Sequence, residues 1–191
     1  MLNIVIFGAP GSGKGTQSDK IIAEYGVAHI STGDALRNEI KKETELGKTA
    51  KGYIEKGQLV PDELVVGILA SVLDSLGKSV PGVIFDGFPR DIEQAKILDK
   101  MLAERGEKVS TVIGLEVDDA ELVKRIILRG QTSGRSDDNE ETARKRLETY
   151  HAQTQPLREF YIRQGKYARI EGVGSIDRIY SDIKAAIEAV K

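Results

Sequence analysis

Gly8, Gly13 and Lys14 stand at the spacing G-x-x-x-x-G-K inside the stretch LNIVIFGAPGSGKGT, residues 2–16. Residues of these types at this spacing grip phosphate. Glycines take backbone angles closed to other residues, so several N–H groups can turn toward one anion. A helix starting near Lys14 adds the partial positive charge of its N-terminus, and the lysine adds a full one. Gly11, Ser12, Gly13, Lys14, Gly15 and Thr16 are therefore the candidate phosphate cradle. Gly15 stands where the general motif has Ser or Thr, so the hydroxyl that commonly ligates magnesium is displaced to Thr16.

A second candidate group lies downstream. The apolar run Val83-Ile84-Phe85 ends in Asp86, placed as a carboxylate that approaches a nucleotide's magnesium after such a loop. Gly87, Phe88, Pro89 and Arg90 follow it, a loop that delivers an arginine to the rim of a sheet. Arginines recur beside glycines and polar loops at Arg37, Arg90, Arg125, Arg129, Arg135 and Arg146. A planar guanidinium holds phosphate oxygens two at a time, so this set is richer than one triphosphate requires. No general base stands out. A phosphate oxygen, largely ionised at neutral pH with a second pKa of about 6, needs none as a nucleophile.

These residues have to be positioned by alternating strands and helices. Strand-like runs at the N-terminus, Val27–Ile30, Val83–Phe85, Val112–Val117 and Tyr167–Ile170 alternate with helical periods, which predicts an α/β fold with a parallel five-stranded sheet flanked by helices. Residues 31–60 hold two charged helical segments split at Thr44 and few large apolar residues, and are expected to pack loosely. Pro61-Asp62-Glu63 starts a helix whose stripe Leu64, Val65, Ile68, Leu69, Val72, Leu73 and Leu76 is expected to face the core. Asp91 is placed to cap a helix, and Asp118 and Asp119 to open the next one, which runs through Leu122, Ile126 and Ile127. From Arg129 to Asn139 no residue is apolar, which predicts a solvent-facing loop. The helix from Glu140 should break near Pro156. A last helix is expected to use Ile176, Ile179, Ile183, Ile187 and Val190.

Composition narrows the field. The 191 residues are 40 % hydrophobic and 30 % charged, ordinary for a folded chain with one substantial core. A net charge of −2 offers no global basic field for nucleic acid or anionic membrane. There is no cysteine, hence no thiolate metal site, and the chain fits a reducing cytoplasm. No leader or spanning segment is read. His29 and His151, the only histidines, have no metal-ligand spacing.

The sequence resembles the adenylate kinase family over essentially its whole length. The resemblance is carried by Gly8–Thr16, including the glycine after the lysine; by Ser31-Thr32-Gly33-Asp34 with Arg37; by Gln58-Leu59-Val60; by Phe85–Arg90 with Gln94; and by the arginines of KRIILRG and SGRSDDN with Arg146. It implies a P-loop core (1–30, 61–128 and 140–191), a small mobile AMP-binding segment (31–60) and a short lid (129–139). It implies reversible transfer of the terminal phosphoryl group of MgATP to AMP, giving two ADP. Lys14, Arg90, Arg129, Arg135 and Arg146 would be catalytic. The cradle with Arg125, Arg129 and Gly174 would hold ATP. Thr32, Arg37, Gln58, Leu59, Val60, Gly87–Arg90, Gln94, Arg135 and Arg146 would hold AMP, and Asp86 would meet Mg2+ through water. The resemblance further implies no structural zinc and a cytoplasmic monomer whose partners are nucleotides. Asp137 and Asp138 receive no role. Two other readings stand beside it: a UMP/CMP kinase, against which Thr32 and Gln94 favour adenine, and a nucleotide-binding module without transfer activity.

Overall fold

The structure is a computed structural model describing residues 1–191. Its centre is a fully parallel sheet in the order β2-β3-β1-β4-β5. The strands are β1 (Leu2–Gly8), β2 (Ala28–Ser31), β3 (Gly82–Asp86), β4 (Thr111–Glu116) and β5 (Tyr167–Glu171). Parallel strands covered on both faces should be largely apolar, and β1, β3 and β4 are, while the edge strands β2 and β5 carry His29, Arg169 and Glu171. Val5 and Phe7 of β1, with Val83, Phe85 and Val112, point to one face. Ile4 and Ile6, with Ile84, Ile113 and Leu115, point to the other. The two-residue side-chain period of a strand separates the two sets.

Nine α-helices surround the sheet: α1 (Lys14–Tyr25), α2 (Thr32–Lys41), α3 (Glu45–Glu55), α4 (Asp62–Leu76), α5 (Ile92–Ala103), α6 (Asp119–Ser133), α7 (Glu140–Thr149), α8 (Leu157–Arg163) and α9 (Ile176–Glu188). Leu69 of α4, Leu98 of α5 and Tyr161 of α8 cover the first face, and Ile21 of α1 with Ile179, Ile183 and Ile187 of α9 cover the second. Ser31, Thr44, Asp91, Asp118, Asn139 and Ser175 each accept a hydrogen bond from a backbone N–H three residues on, fixing six helix starts.

Two expectations are corrected and two are borne out. Residues 129–139 are not one solvent-facing loop: α6 runs on to Ser133, and Asp137 and Asp138 are buried. Their carboxylates are drawn inward by arginines, an attraction that hydrophobic periodicity does not register. The α4 stripe faces the core as expected: Val65 and Leu69 are buried, and Leu64, Ile68, Val72, Leu73 and Leu76 pack against them partly buried. Ile127, Ile176 and Val190 are exposed. The expected break near Pro156 is present: the helix from Glu140 leaves α geometry in a π-helical turn over Tyr150–Thr154, and α8 begins at Leu157. The Gln155 N–H there donates to the Tyr150 carbonyl at 2.7 Å, a five-residue step, just ahead of Pro156, which has no N–H to continue the ladder.

The segment from α2 to α3 buries Leu36 and Ala50, with Tyr53 and Ile54 packed beside them. It leans on α7 through bonds from Thr149 Oγ1 to the Gly57 carbonyl at 2.9 Å and from Thr142 Oγ1 to the Glu55 carbonyl at 3.4 Å.

Candidate active site

The loop between β1 and α1 sits at the carboxyl end of the central strand, with β3 on one side and β4 on the other, where chain order reverses and open α/β sheets bind ligands. Gly11 and Gly13 have φ of +83° and +96°, values that side-chain-bearing residues rarely adopt. Gly13 caps α1 with no side-chain bond, so the first N–H groups of the helix remain available to an anion. Gly8 must also be glycine. A Cβ there would lie 2.6 Å from Ser12 Oγ and 2.9 Å from the Leu115 carbonyl oxygen. The Ser12 hydroxyl is itself buried without a hydrogen-bond partner. Lys14 folds back over the loop, its Nζ donating to the carbonyls of Gly8 at 3.0 Å and Ala9 at 3.2 Å. Burial lowers the Lys14 pKa to about 8; Asp86 opposes this and Arg90, Arg146 and Arg129 add to it.

Beyond the carboxyl ends of β1 and β3 lies a cleft of about 110 Å³. It gathers Lys14, Thr32, Arg37, Gln58, Leu59, Val60, Gly87, Pro89, Arg90, Gln94 and Arg146 from the residues singled out in the sequence. The 86–90 loop places Arg90 through a Gly87 φ of +85° and a cis Phe88–Pro89 peptide, and Arg90 Nε donates to the Gly87 carbonyl at 2.8 Å. Thr32 Oγ1 donates to that same carbonyl at 3.0 Å. Gln94 Oε1 accepts from the Arg90 N–H at 2.8 Å, and its Nε2 donates to Asp62 Oδ1 at 2.7 Å. One lone pair and one amide hydrogen of Gln94 remain for a ligand.

Positive charge is crowded here. Burial lowers the pKa of Arg90, and that of Arg146 to about 10, with neighbouring cations adding to the effect. Both stay charged at neutral pH, so the cleft is prepared for a polyanion.

Not all candidates share this cleft. Gly11, Ser12 and Gly13 lie in the adjoining loop, Gly15 and Thr16 in the first turn of α1, and Phe88 is a core residue, 1 % exposed. Arg129 lies on α6, paired with Asp138. Arg135 reaches across to Asp34 Oδ1 at 3.7 Å, the carboxylate that also takes Arg37 Nη2 at 2.7 Å. Arg125 and Gly174 lie on the opposite side of the loop, where Arg125 Nη2 donates to the Gly172 carbonyl at 3.1 Å. Residues that sequence reasoning did not assign to the site include Asp137, Thr149, Tyr150 and Thr154, which line the cleft. An acid pair set among arginines in a stretch without apolar residues was the one available signal for Asp137.

Asp86 is the one carboxylate aimed at the loop. Burial opposes its ionisation, but a hydrogen bond with His29 at 3.3 Å and the charge of Lys14 leave its pKa below the usual range. No group of three or more acids and histidines could cage a metal. A single ionised carboxylate beside a phosphate loop fits Mg2+, which keeps most of its waters and takes phosphate oxygens as ligands.

The family model for adenylate kinase matches residues 6–166. This chain belongs to the adenylate kinase family. Proteins of that name from Phocaeicola vulgatus and Parabacteroides distasonis are similar to it, at 64 % identity over 98 % of this chain and 99 % of the relative, and at 63 % identity over the whole of both. One from Bacteroides thetaiotaomicron is 63 % identical over 98 % of this chain and 99 % of the relative. Within the adenylate kinase family the parallel sheet, glycine loop and arginine-lined cleft have a common purpose, phosphoryl transfer between nucleotides. No helix is long and apolar enough to cross a membrane.

Proposed function

We propose that this member of the adenylate kinase family transfers the terminal phosphoryl group of MgATP to AMP, reversibly, giving two ADP. The observation that carries the reading is the lining of the cleft beside the phosphate loop. It joins Lys14, Arg37, Arg90 and Arg146 to an apolar wall of Leu36, Ile54, Leu59 and Val60. A binding module would need only the loop.

In this reading the free N–H groups of the loop and Lys14 hold the β- and γ-phosphates of ATP, and Arg125 and the Gly174 backbone meet its base. Arg37 and Arg90 hold the AMP phosphate, while Thr32, Gln58–Val60 and Gln94 hold the AMP base and ribose. The attacking oxygen is already ionised, so no side chain removes a proton. Catalysis is positioning and charge neutralisation in line. Mg2+, when bound with ATP, neutralises phosphate charge; Asp86 would reach it through water. Arg129, Arg135 and Arg146 neutralise the group in flight. Segments 31–60 and 129–139 close over the two nucleotides, excluding water so that ATP is not hydrolysed without an acceptor. The site is built from one chain, so a monomer suffices, and the cytoplasm supplies its nucleotides.

Phosphorus NMR of the chain with MgATP and AMP, CMP or UMP tests this reading. ADP from AMP is the expected main product. Faster consumption of CMP or UMP would make it a pyrimidine nucleotide kinase, and no transfer to any would leave a binding module.

A further inference from the structure

The loop joining β5 to α9 is held by side chains from three other places, and it carries the backbone proposed above to meet the base of ATP. Gly174 has a φ of +120°, a conformation that side-chain-bearing residues rarely adopt, so the loop's shape depends on what braces it. That shape is not fixed by the loop's own bonds. Arg178, on the first turn of α9, donates through Nη2 to the carbonyls of both Glu171, at 3.0 Å, and Val173. Its Nη1 is held by Asp182 at 2.9 Å, one helical turn on, which keeps the guanidinium turned back toward the loop. A Cβ at Gly174 would meet Arg178 Nε at 3.0 Å, so guanidinium and glycine are in contact. Arg125 takes the Gly172 carbonyl, and Gln17 Nε2 of α1 takes the Ile176 carbonyl at 3.2 Å.

The consequence is selective. The carbonyls of Glu171, Gly172 and Val173 are all engaged by arginines, whereas the Gly174 carbonyl accepts no bond from the protein. One unpaired carbonyl on a braced loop accepts from an exocyclic amine and repels an exocyclic oxygen, so it tells a 6-amino purine from a 6-oxo purine. We propose that Arg178 is a specificity-determining positioning residue: by fixing the Glu171 and Val173 carbonyls it aims the Gly174 carbonyl at the donor nucleotide's base and sets the preference for ATP over GTP. The inference rests on the donor base lying at Gly174. Arg178 touches neither phosphate nor the reacting atoms, so its effect belongs to KM for the donor and not to kcat.

The test is steady-state kinetics of the full chain and of Arg178→Met, which keeps the stem and removes the donors, with MgATP and MgGTP as donors and AMP as acceptor. The expected result is a rise of about tenfold in KM for ATP, with KM for GTP, KM for AMP and kcat within about twofold. The ATP-over-GTP preference then falls by the same factor. Asp182→Asn, which frees the guanidinium without removing it, should give a smaller shift in the same direction. Arg178 is exposed on a helix surface and its loss leaves the core intact; Tm is measured alongside. An unchanged ATP-over-GTP ratio in Arg178→Met, or equal losses for both donors accompanied by a lower Tm, overturns the assignment to Arg178. A wild-type chain that uses ATP and GTP equally well overturns the donor-site reading beneath it.

Discussion

Arg129 and Asp138 face each other in a two-point ion pair, Nε to Oδ2 at 2.8 Å and Nη2 to Oδ1 at 2.7 Å, with the Asp138 side chain wholly out of solvent. Ser133 Oγ donates to the same carboxylate at 2.8 Å, and Arg146 Nη1 approaches it at 3.4 Å. One acid therefore ties the C-terminal end of α6 to Arg146 in the last turn of α7 and holds the 134–139 connection between the two helices.

Asp138→Asn should lower stability by about 1–3 kcal/mol, below the range for breaking a fully buried pair because Arg129 is 34 % exposed. Burial opposes ionisation of Asp138, but the Arg129 and Ser133 bonds outweigh it, and its pKa lies below the unfolded value of about 3.9. A depressed carboxylate stabilises the fold above the unfolded pKa and loses that contribution as pH falls through the folded one. The wild-type advantage should hold from neutrality to about pH 5 and shrink below about pH 4. Urea melts of both chains across that interval would show it; an equal gap at every pH would mean the acid is not acting through its charge.

Lys14 works against the fold and for the ligand. Its pKa near 8 lies below the ordinary lysine value because burial penalises the charge. A lowered lysine costs stability while it is protonated, and that cost fades as pH rises through about 8. Lys14→Met should therefore abolish transfer while leaving Tm unchanged or raised. Polyphosphate binding should push the pKa back up, so the wild-type chain takes up protons on binding ATP near pH 8, and its affinity falls as pH rises further. Calorimetry in two buffers of different ionisation enthalpy reads the uptake, and Lys14→Met should remove it. Proton release on binding would contradict the assignment.

Gly130 is the residue that sequence reasoning passed over. In a helix interior, alanine is ordinarily better than glycine by about 1 kcal/mol, yet a Cβ at Gly130 would stand 2.1 Å from the Asp138 carbonyl oxygen. Gly130→Ala should push the 134–139 connection off α6, pull Asp138 away from Arg129, lower Tm and reduce kcat at least tenfold. A variant as active and as stable as wild type would show that the two backbones need not touch.

The difference between what was legible in the sequence and what was not follows from the kind of force involved. The sheet could be read because both faces of β1, β3 and β4 are apolar and bounded by Gly, Asp and Pro. The spacing of glycines and Lys14 between a strand and a helix marked the candidate phosphate loop, and the caps at Thr44, Asp91 and Asp118 stood one helical turn ahead of the N–H they bind. Residues 129–139 looked like loop because hydrophobic periodicity is blind to burial driven by charge. Asp137 meets Arg146 at 3.2 Å and Asp138 meets Arg129, pairs that exist only once two helices have folded together. Gln94 was legible as a cleft residue, but its bonds to Arg90 and Asp62 depend on how α4 and α5 meet.

Arg135 offers the sharpest test of closure. The sequence suggested a solvent-facing loop, yet Arg135 Nη2 lies 3.7 Å from Asp34 Oδ1, across the cleft on α2, and Arg37 shares that carboxylate. Burial lowers the Arg135 pKa and Arg37 adds to it, so two cations crowd one acid. Two bound nucleotides would bring enough negative charge to draw Arg135 from Asp34 onto the transferring group. Asp34 is then a resting partner, and its loss should free Arg135 instead of silencing it. Arg135→Ala should reduce kcat by roughly 10³–10⁵, the range of arginines that neutralise a phosphoryl group in flight. Binding of either nucleotide alone should weaken only a few-fold. Asp34→Asn should leave kcat within about tenfold, far above Arg135→Ala, because a surface ion pair contributes little. Single-turnover rates and equilibrium titrations of both variants separate the cases. If Arg135→Ala loses affinity and keeps kcat, the guanidinium is a clamp on bound nucleotide and not part of the transfer. If Asp34→Asn is as slow as Arg135→Ala, the ion pair itself, and not the freed arginine, is what the reaction needs.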